Sequence, residues 1–394
     1  MSSFNEDFIA LDACLSEHRA LWQFDSFASL TSPWQAQYPQ LSQYLDSLNL
    51  SELEDQCGLN ILGEFLPSLS ALQAWQGPQP LSEVATYRPP PSYLAAGIKG
   101  RKWQQIEAFV ARTPKAQNYV EWCAGKGHLG KLLSYQTGQD VVSLEWQKAL
   151  CEDGQQQAAK LKLSQTFQHA DVLKQQGVSA LASTNCAVAL HACGDLHRTL
   201  LTQAASAKVP NLCLSPCCYQ LTKDDTYQPL SATVAQHSQL SVRKADLKLA
   251  VKEVVTAGAR EKRLKKQELT YRLGFDVWQR QARGIDEYLP LPSIQKALLK
   301  QGFTGFCQWA AECKGLSQYV NTLGFVQFEQ VAEQRYQVVQ KIEAISQLFR
   351  PALEHWLVLD RALYLQEQGY QVEIGGFCDK VITPRNWLIR AKRA

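Results

Sequence analysis

The chain reads as an α/β protein built on a doubly wound parallel sheet. Three observations predict this. Strand and helix patterns alternate regularly from 118 to 216, a glycine-rich turn follows the first strand, and two short apolar segments close the chain as an antiparallel hairpin. The predicted strands lie at 118–123, 141–145, 166–170, 186–190 and 211–215, with helices between them, and a helix over 99–110 leads into the first. Residues 1–95 read as a helical N-terminal region whose end, Arg88-Pro89-Pro90-Pro91, is a stiff linker. Beyond Tyr219 the alternation stops, and 221–340 reads as a basic helical insertion. A long helix is predicted over 341–368, and the hairpin at 371–378 and 386–391 completes the sheet. Four segments follow: 1–95, 96–220, 221–340 and 341–394.

The bulk numbers agree with this class. A chain of 394 residues has length for two or three domains. Hydrophobic content of 45% and charged content of 20% describe an ordinary soluble protein, and no apolar run is long enough to span a membrane. The start, Met1-Ser2-Ser3-Phe4-Asn5-Glu6-Asp7, lacks the basic and apolar regions of a secretory signal. The twelve cysteines are scattered without a small-domain spacing, so they read as reduced thiols in a cytoplasmic protein.

The stretch Tyr119-Val120-Glu121-Trp122-Cys123-Ala124-Gly125-Lys126-Gly127-His128-Leu129-Gly130 carries the chemistry. Gly125, Gly127 and Gly130 satisfy G-x-G-x-x-G, a pattern shared by several nucleotide-binding folds. Glu121 discriminates among them. A strand buried on both faces is nearly continuously apolar, and a carboxylate near its end must be paired or reach the cleft. A pyrophosphate has no use for an acid there, whereas S-adenosylmethionine carries an ammonium and a sulfonium. The second strand ends in Glu145, 20 residues after Gly125, where an acid grips ribose hydroxyls in nicotinamide and methyl-donor sites alike. The third ends at Asp171, which reads equally as an adenine ligand or a helix cap. Five parallel strands plus a terminal antiparallel hairpin then suit a class I, Rossmann-like S-adenosylmethionine-dependent methyltransferase sheet.

Three stretches carry a likeness to a particular group. They are Glu121-Trp122-Cys123-Ala124-Gly125-Lys126-Gly127-His128-Leu129, Leu190-His191-Ala192-Cys193-Gly194-Asp195-Leu196 and Ser215-Pro216-Cys217-Cys218-Tyr219. The late stretch Thr383-Pro384-Arg385-Asn386 adds to them. Together they resemble the methyltransferase-domain group that includes the eukaryotic tRNA 2′-O-methyltransferase of the acceptor stem and the glutathione-S-transferase-C-terminal-domain-containing protein. The likeness covers 100–220 and 370–392, with Cys123 in place of the usual first glycine and Tyr219 where the tRNA enzymes look to have histidine. It implies donor binding firmly and the acceptor only loosely.

The expected donor-binding residues are Glu121, Cys123, Ala124, Gly125, Gly127, Glu145, Asp171 and His191. The candidate catalytic residues are His191, Asp195 and Cys217. His191 follows the fourth strand and reads as a general base for a ribose hydroxyl or as a neutral histidine beneath a loop. Asp195 reads equally as the N-cap of the next helix. Cys217 would be a nucleophile only if cytosine C5 were methylated. Cys186, His191, Cys193, Cys213, Cys217 and Cys218 form a soft-ligand cluster in sequence, but without a C-x-x-C pair they read as core thiols, and no metal ligand is assigned. The Asn/Asp-Pro-Pro-aromatic pattern of amine methylation is absent after the fourth strand.

Charge is unevenly distributed. Between Arg243 and Arg272 ten Lys/Arg face four acids (Asp246, Glu253, Glu261, Glu268), so this segment is +6 against a net charge of +3. The run is either a solvated helix face or a surface for an anionic partner, most simply RNA. The leading reading is thus a methyltransferase acting on tRNA or rRNA, with no obligate protein partner. A NAD-dependent oxidoreductase and an inactive methyltransferase-fold binding module are the alternatives.

Overall fold

The computed structural model describes residues 3–84, 88–252 and 259–394. Met1, Ser2, residues 85–87 of the expected N-terminal region and Glu253 of the basic run lie outside the described residues. Two compact units are present. One comprises Met1–Glu17, Ala74–Glu253 and Arg350–Ala394, the other His18–Gln73 and Val254–Phe349.

The first unit holds a seven-stranded sheet in the order β3-β2-β1-β4-β5-β7-β6. Its strands are β1 Asn118–Trp122, β2 Asp140–Glu145, β3 Gln165–His169, β4 Cys186–Cys193, β5 Asn211–Cys217, β6 Tyr370–Gly376 and β7 Trp387–Arg393. The first five are parallel, while β7 inserts antiparallel between β5 and β6. This is the predicted α/β architecture, with strand boundaries within three residues of those expected. Side chains alternate between two cores because successive strand residues point to opposite faces. Val120 and Trp122, Ala187 and Ala189, and Leu212 and Leu214 enter one core. Tyr119, Cys186, Val188 and Cys213 enter the other, against Trp103, Ile106 and Phe109 of the helix Gly100–Arg112. Cys186 and Cys213 therefore are core thiols, as expected.

The N-terminal region is not one body. The helix Ser3–Glu17 packs on Arg350–Glu367, with Phe8 and Trp356 ring centroids 6.0 Å apart and Trp356 Nε1 donating to Asp12 at 2.9 Å. Residues 18–73 belong instead to the second unit. Gly376 N donates to Gln79 O at 2.7 Å, and the Arg88 guanidinium lies 4.7 Å from the Tyr135 ring.

The single helix predicted over 341–368 is two helices, Phe328–Gln347 and Arg350–Glu367, in different units. Pro351 lacks an N–H and fits only a first turn, so helix cannot run through it unbroken. The apolar period continues across the break, which is why the sequence reads as one element. The second unit packs Ala259–Arg283, Gly302–Cys313 and Phe328–Gln347 around Phe275, Trp278, Phe303, Phe306 and Phe328. Within it, Arg335 donates to Phe27 O at 3.0 Å and pairs with Asp276 at 3.6 Å. The basic run is divided as well: Arg243 to Lys252 lie in the first unit and Arg260 to Arg272 in the second. No helix among the described residues is long and apolar enough to cross a membrane.

Candidate functional site

The sheet order reverses between β1 and β4. In open α/β sheets a ligand sits beyond the carboxyl ends of the strands at such a point. The glycine turn lies there. Cys123, Gly125 and Gly127 have φ of 58°, 59° and 66°, so three of five successive residues are left-handed. That conformation costs a residue with a Cβ about 1 kcal/mol, which Cys123 bears where glycine would not. Ala124 N donates to Leu144 O at 2.8 Å, tying the turn to β2.

Glu121, the acid expected to meet the donor ammonium, is buried and hydrogen-bonded within the protein. Its carboxylate is 3% exposed and lies beneath the N-terminus of the helix His128–Thr137. Ser143 Oγ donates to Glu121 Oε2 at 2.6 Å, and the backbone N–H groups of Leu129 and Gly130 donate to it as well. Gln165 Nε2 donates to Ser143 Oγ and to Gly127 O, both at 2.9 Å. Burial pushes the Glu121 carboxyl up to about 7, against these hydrogen bonds, which pull it down. Gly130 is needed for close approach: a Cβ there would lie 2.5 Å from Glu121 Oε2 and 2.6 Å from Gln165 Nε2. At Gly125 an added Cβ meets nothing within 4 Å, so this part of the turn borders open space.

Glu145 is also buried, at 5% exposure, and holds the turn from β2. It ends β2, with Oε2 accepting from Gly125 N at 2.8 Å and Oε1 from Gln147 N at 2.9 Å. Each oxygen keeps a second lone pair. Trp146 follows it and is 66% exposed, with its aromatic face open to solvent. Trp146 is not among the donor-binding residues expected from the sequence. Asp171 takes the capping role: Oδ1 accepts from Leu173 N at 3.2 Å and Oδ2 lies 3.2 Å from Lys174 Nζ.

Across the switch point, the ends of β4 and β5 hold the other candidates. His191 has φ of 73°, keeps an exposed edge, and donates through Nε2 to Gln105 Oε1 at 2.9 Å. Lost hydration lowers its pKa, and the Lys102 charge adds to this. Asp195 is engaged within the fold. It opens the helix Asp195–Ser206, accepts from Lys223 N at 2.8 Å and lies 3.7 Å from Arg198. Cys217 is 2% exposed, and its bonds with Cys193 and Cys218, then burial, push its thiol up. Burial and the raised pKa both disfavour a nucleophilic role for the free thiol.

Several positioning residues had escaped the sequence reading. His197, fully buried, has Nδ1 2.9 Å from Ala192 O and accepts from Arg361 Nε at 2.9 Å. Arg361 also donates to Tyr227 OH at 3.1 Å, and Tyr227 OH donates to Asp360 at 2.5 Å. Tyr219 packs beneath Arg361, 4.9 Å from ring centroid to guanidinium carbon, which gives that departure from the family pattern a core role.

A cavity of roughly 300 Å³ lined by Thr113, Tyr119, Thr137 and Gln139 lies at the amino ends of the strands, away from these groups. With the geometry described, residues 101–225 match the family described as a methyltransferase domain. The span includes the glycine turn, Glu145, the β4 loop and Cys217-Cys218-Tyr219. No match is found among the curated proteins. Among solved structures, a possible exported protein from Bordetella parapertussis is 13% identical over 99% of this chain and 97% of that one, with a TM-score of 0.29. Coclaurine N-methyltransferase, bound to N-methylheliamine and SAH, is 11% identical over 96% of this chain and 99% of that one, also at a TM-score of 0.29. At that score neither likeness carries an argument. The methyltransferase fold rests on the matched segment and on the sheet itself.

Two predictions follow from the turn. Gly130→Ala should cost about 2–3 kcal/mol by overpacking a filled polar cluster, whereas Gly125→Ala should cost only about 1 kcal/mol of backbone strain. Urea denaturation would reveal the reverse ranking if the packing argument failed. The second concerns pH. A folded-state pKa of about 7 for Glu121 exceeds the unfolded value of about 4.3. The folded state then holds the extra proton, so this contribution is present below the unfolded value and is lost as pH rises to about 7. Wild type should lose stability relative to Glu121→Gln across that window. Parallel urea midpoints for the two proteins throughout it would contradict the assignment.

Proposed function

We propose that the chain is an S-adenosylmethionine-dependent methyltransferase acting on RNA, with a ribose 2′-hydroxyl as acceptor. The observation that carries the donor reading is the glycine turn, open at the Gly125 Cβ position and tied there to Glu145, whose Oε2 accepts from Gly125 N at 2.8 Å. Glu145 would take the ribose hydroxyls, Trp146 would offer its face to the adenine, and Gly125 would let the backbone approach the donor. Glu121, Cys123, Ala124 and Gly127 shape that turn. His191 would stand near the acceptor as its base, at the carboxyl end of β4. The bound donor supplies an activated methyl group, and the protein's part is alignment and exclusion of water.

The sheet weighs against the nicotinamide reading. A dinucleotide fold continues with a second parallel half, whereas here β7 runs antiparallel between β5 and β6. Calorimetry with S-adenosylhomocysteine and with NAD separates the two. Wild type should bind the first in the micromolar range, and Glu145→Ala and Trp146→Ala should each weaken it at least about tenfold, equivalent to about 1.4 kcal/mol. Binding of NAD alone would overturn the donor reading.

The acceptor reading draws on the basic helix. Arg260, Lys262, Arg263, Lys265 and Lys266 are exposed on Ala259–Arg283, with Lys266 also 2.9 Å from Glu333. Each phosphate neutralised adds about −0.9 to the log–log salt slope on duplex, or about −0.7 on single strands. Changing Lys262, Arg263, Lys265 and Lys266 together to Ala should weaken RNA binding and flatten that slope without changing S-adenosylhomocysteine affinity. Identical RNA affinity at all salt concentrations would point to a protein or small-molecule acceptor. For the chemistry, His191→Ala should lower turnover by roughly 10²–10⁴-fold at unchanged donor affinity. Undiminished turnover would return His191 to a structural role.

A further inference from the structure

The ends of β4 and β5 hold a second cluster that the donor reading leaves unused. The thiols of Cys193, Cys217 and Cys218 all lie within 4.8 Å of one another, with Cys193 and Cys217 Sγ atoms 3.5 Å apart. Their meeting is built by the backbone. β4 and β5 pair one to one from Cys186↔Asn211 to Leu190↔Ser215, then jump to Cys193↔Cys217. Unshifted pairing would set Ala192 opposite Cys217. The extra residue puts Cys193 there instead, the way a bulge re-aims a side chain. Within the shifted stretch, the Ala192 carbonyl lies 2.9 Å from Nδ1 of the buried His197.

A second irregularity brings in the third thiol. Successive strand residues point to opposite faces, so Cys217 and Cys218 should diverge. Cys218 instead has φ of 48°, a left-handed turn that folds its side chain back beside Cys217. With His191 at 73°, two non-glycine residues accept left-handed strain within one loop pair. Such strain clusters at functional sites. Plain core packing needs neither the shift nor the strain, as Cys186 and Cys213 show on regular stretches of the same strands.

We propose that Cys193, Cys217 and Cys218 bind one zinc ion as three thiolates, with a fourth, exchangeable position open to water or a substrate heteroatom. At a Zn–S distance of about 2.3 Å, tetrahedral ligands are about 3.8 Å apart, so the observed spacing needs adjustments of a few tenths of an ångström to about one. Binding displaces to solvent the protons still held by the thiols and leaves a site of net charge −1. The Arg385 charge acts on both Cys193 and Cys218 and offsets it. No oxidant or reductant is involved. The inference is independent of the donor reading: either can fail while the other stands.

The test is metal content of the full-length, untagged protein grown with added zinc, purified without chelator and measured by mass spectrometry. About one zinc per chain is expected. Cys193→Ser and Cys217→Ser should each lose most of it, while Cys313→Ser, an exposed thiol elsewhere in the chain, should keep it. His191→Ala should also keep it, since the fourth position is exchangeable. Circular dichroism and melting curves check that the serine variants fold. If either is unfolded, cobalt substitution of the wild type decides, because three thiolates give intense near-ultraviolet charge-transfer bands and tetrahedral visible bands. Zinc at buffer level without those bands would overturn the proposal. So would retention by both serine variants, equal loss in Cys313→Ser, or a Cys193–Cys217 disulfide in the fresh protein. Loss in His191→Ala matching the serine variants would overturn the open fourth position.

Discussion

The first unit is organised around one buried carboxylate. Glu121 sits in the sheet at 3% exposure, where an unpaired charge would be prohibitive. It is tolerated because the Ser143 hydroxyl and two N–H groups at the start of the helix His128–Thr137 converge on it. Gln165 adds the outer layer, bonding Ser143 and the Gly127 carbonyl. Three neighbouring parallel strands thus each contribute one polar side chain to hold the turn and the helix start. A filled polar cluster of this kind rigidifies its surroundings, since any shift leaves a buried group unsatisfied.

That constraint separates the duties of the acids. Glu121 shapes the turn from below, and Glu145 holds it at Gly125. The two are linked through the same few residues: Gly125 N donates to Glu145, while Gly127 O accepts from Gln165 of the Glu121 cluster. A comparable buried arrangement stands behind the other half of the cleft. Asp360, Tyr227, Arg361 and His197 form a chain ending on the Ala192 carbonyl, at the irregular end of β4. Both walls of the candidate site are therefore set by fully buried polar groups behind them. His191 and Trp146, which are exposed, are carried on these supports.

Much of this was legible in the residues. The five parallel strands and the hairpin declare themselves because a doubly covered strand must be apolar over a short run, and because turns between them are local. The glycine spacing is legible for the same reason. The partition into units was not. Ser3–Glu17 finds its partner in Arg350–Glu367, and no periodicity in either segment names the other. The single helix expected over 341–368 shows how a continuous apolar stripe conceals a boundary when only Pro351 marks it.

By itself the sequence determined the sheet, the site of the glycine turn, the strand-terminal acids and the supply of thiols near β4 and β5. Only the tertiary structure decided which way each group turned. Glu121 went beneath a helix, Asp171 and Asp195 went to backbone N–H groups, and three of six clustered soft ligands came together while Cys186 and Cys213 stayed in the core. The physical reason is that element formation follows local period and propensity, whereas side-chain direction hinges on single backbone events. A one-residue shift in β4 or a left-handed Cys218 reverses the outcome. Those events are held in place by partners far away in the chain, such as Arg361 acting through His197.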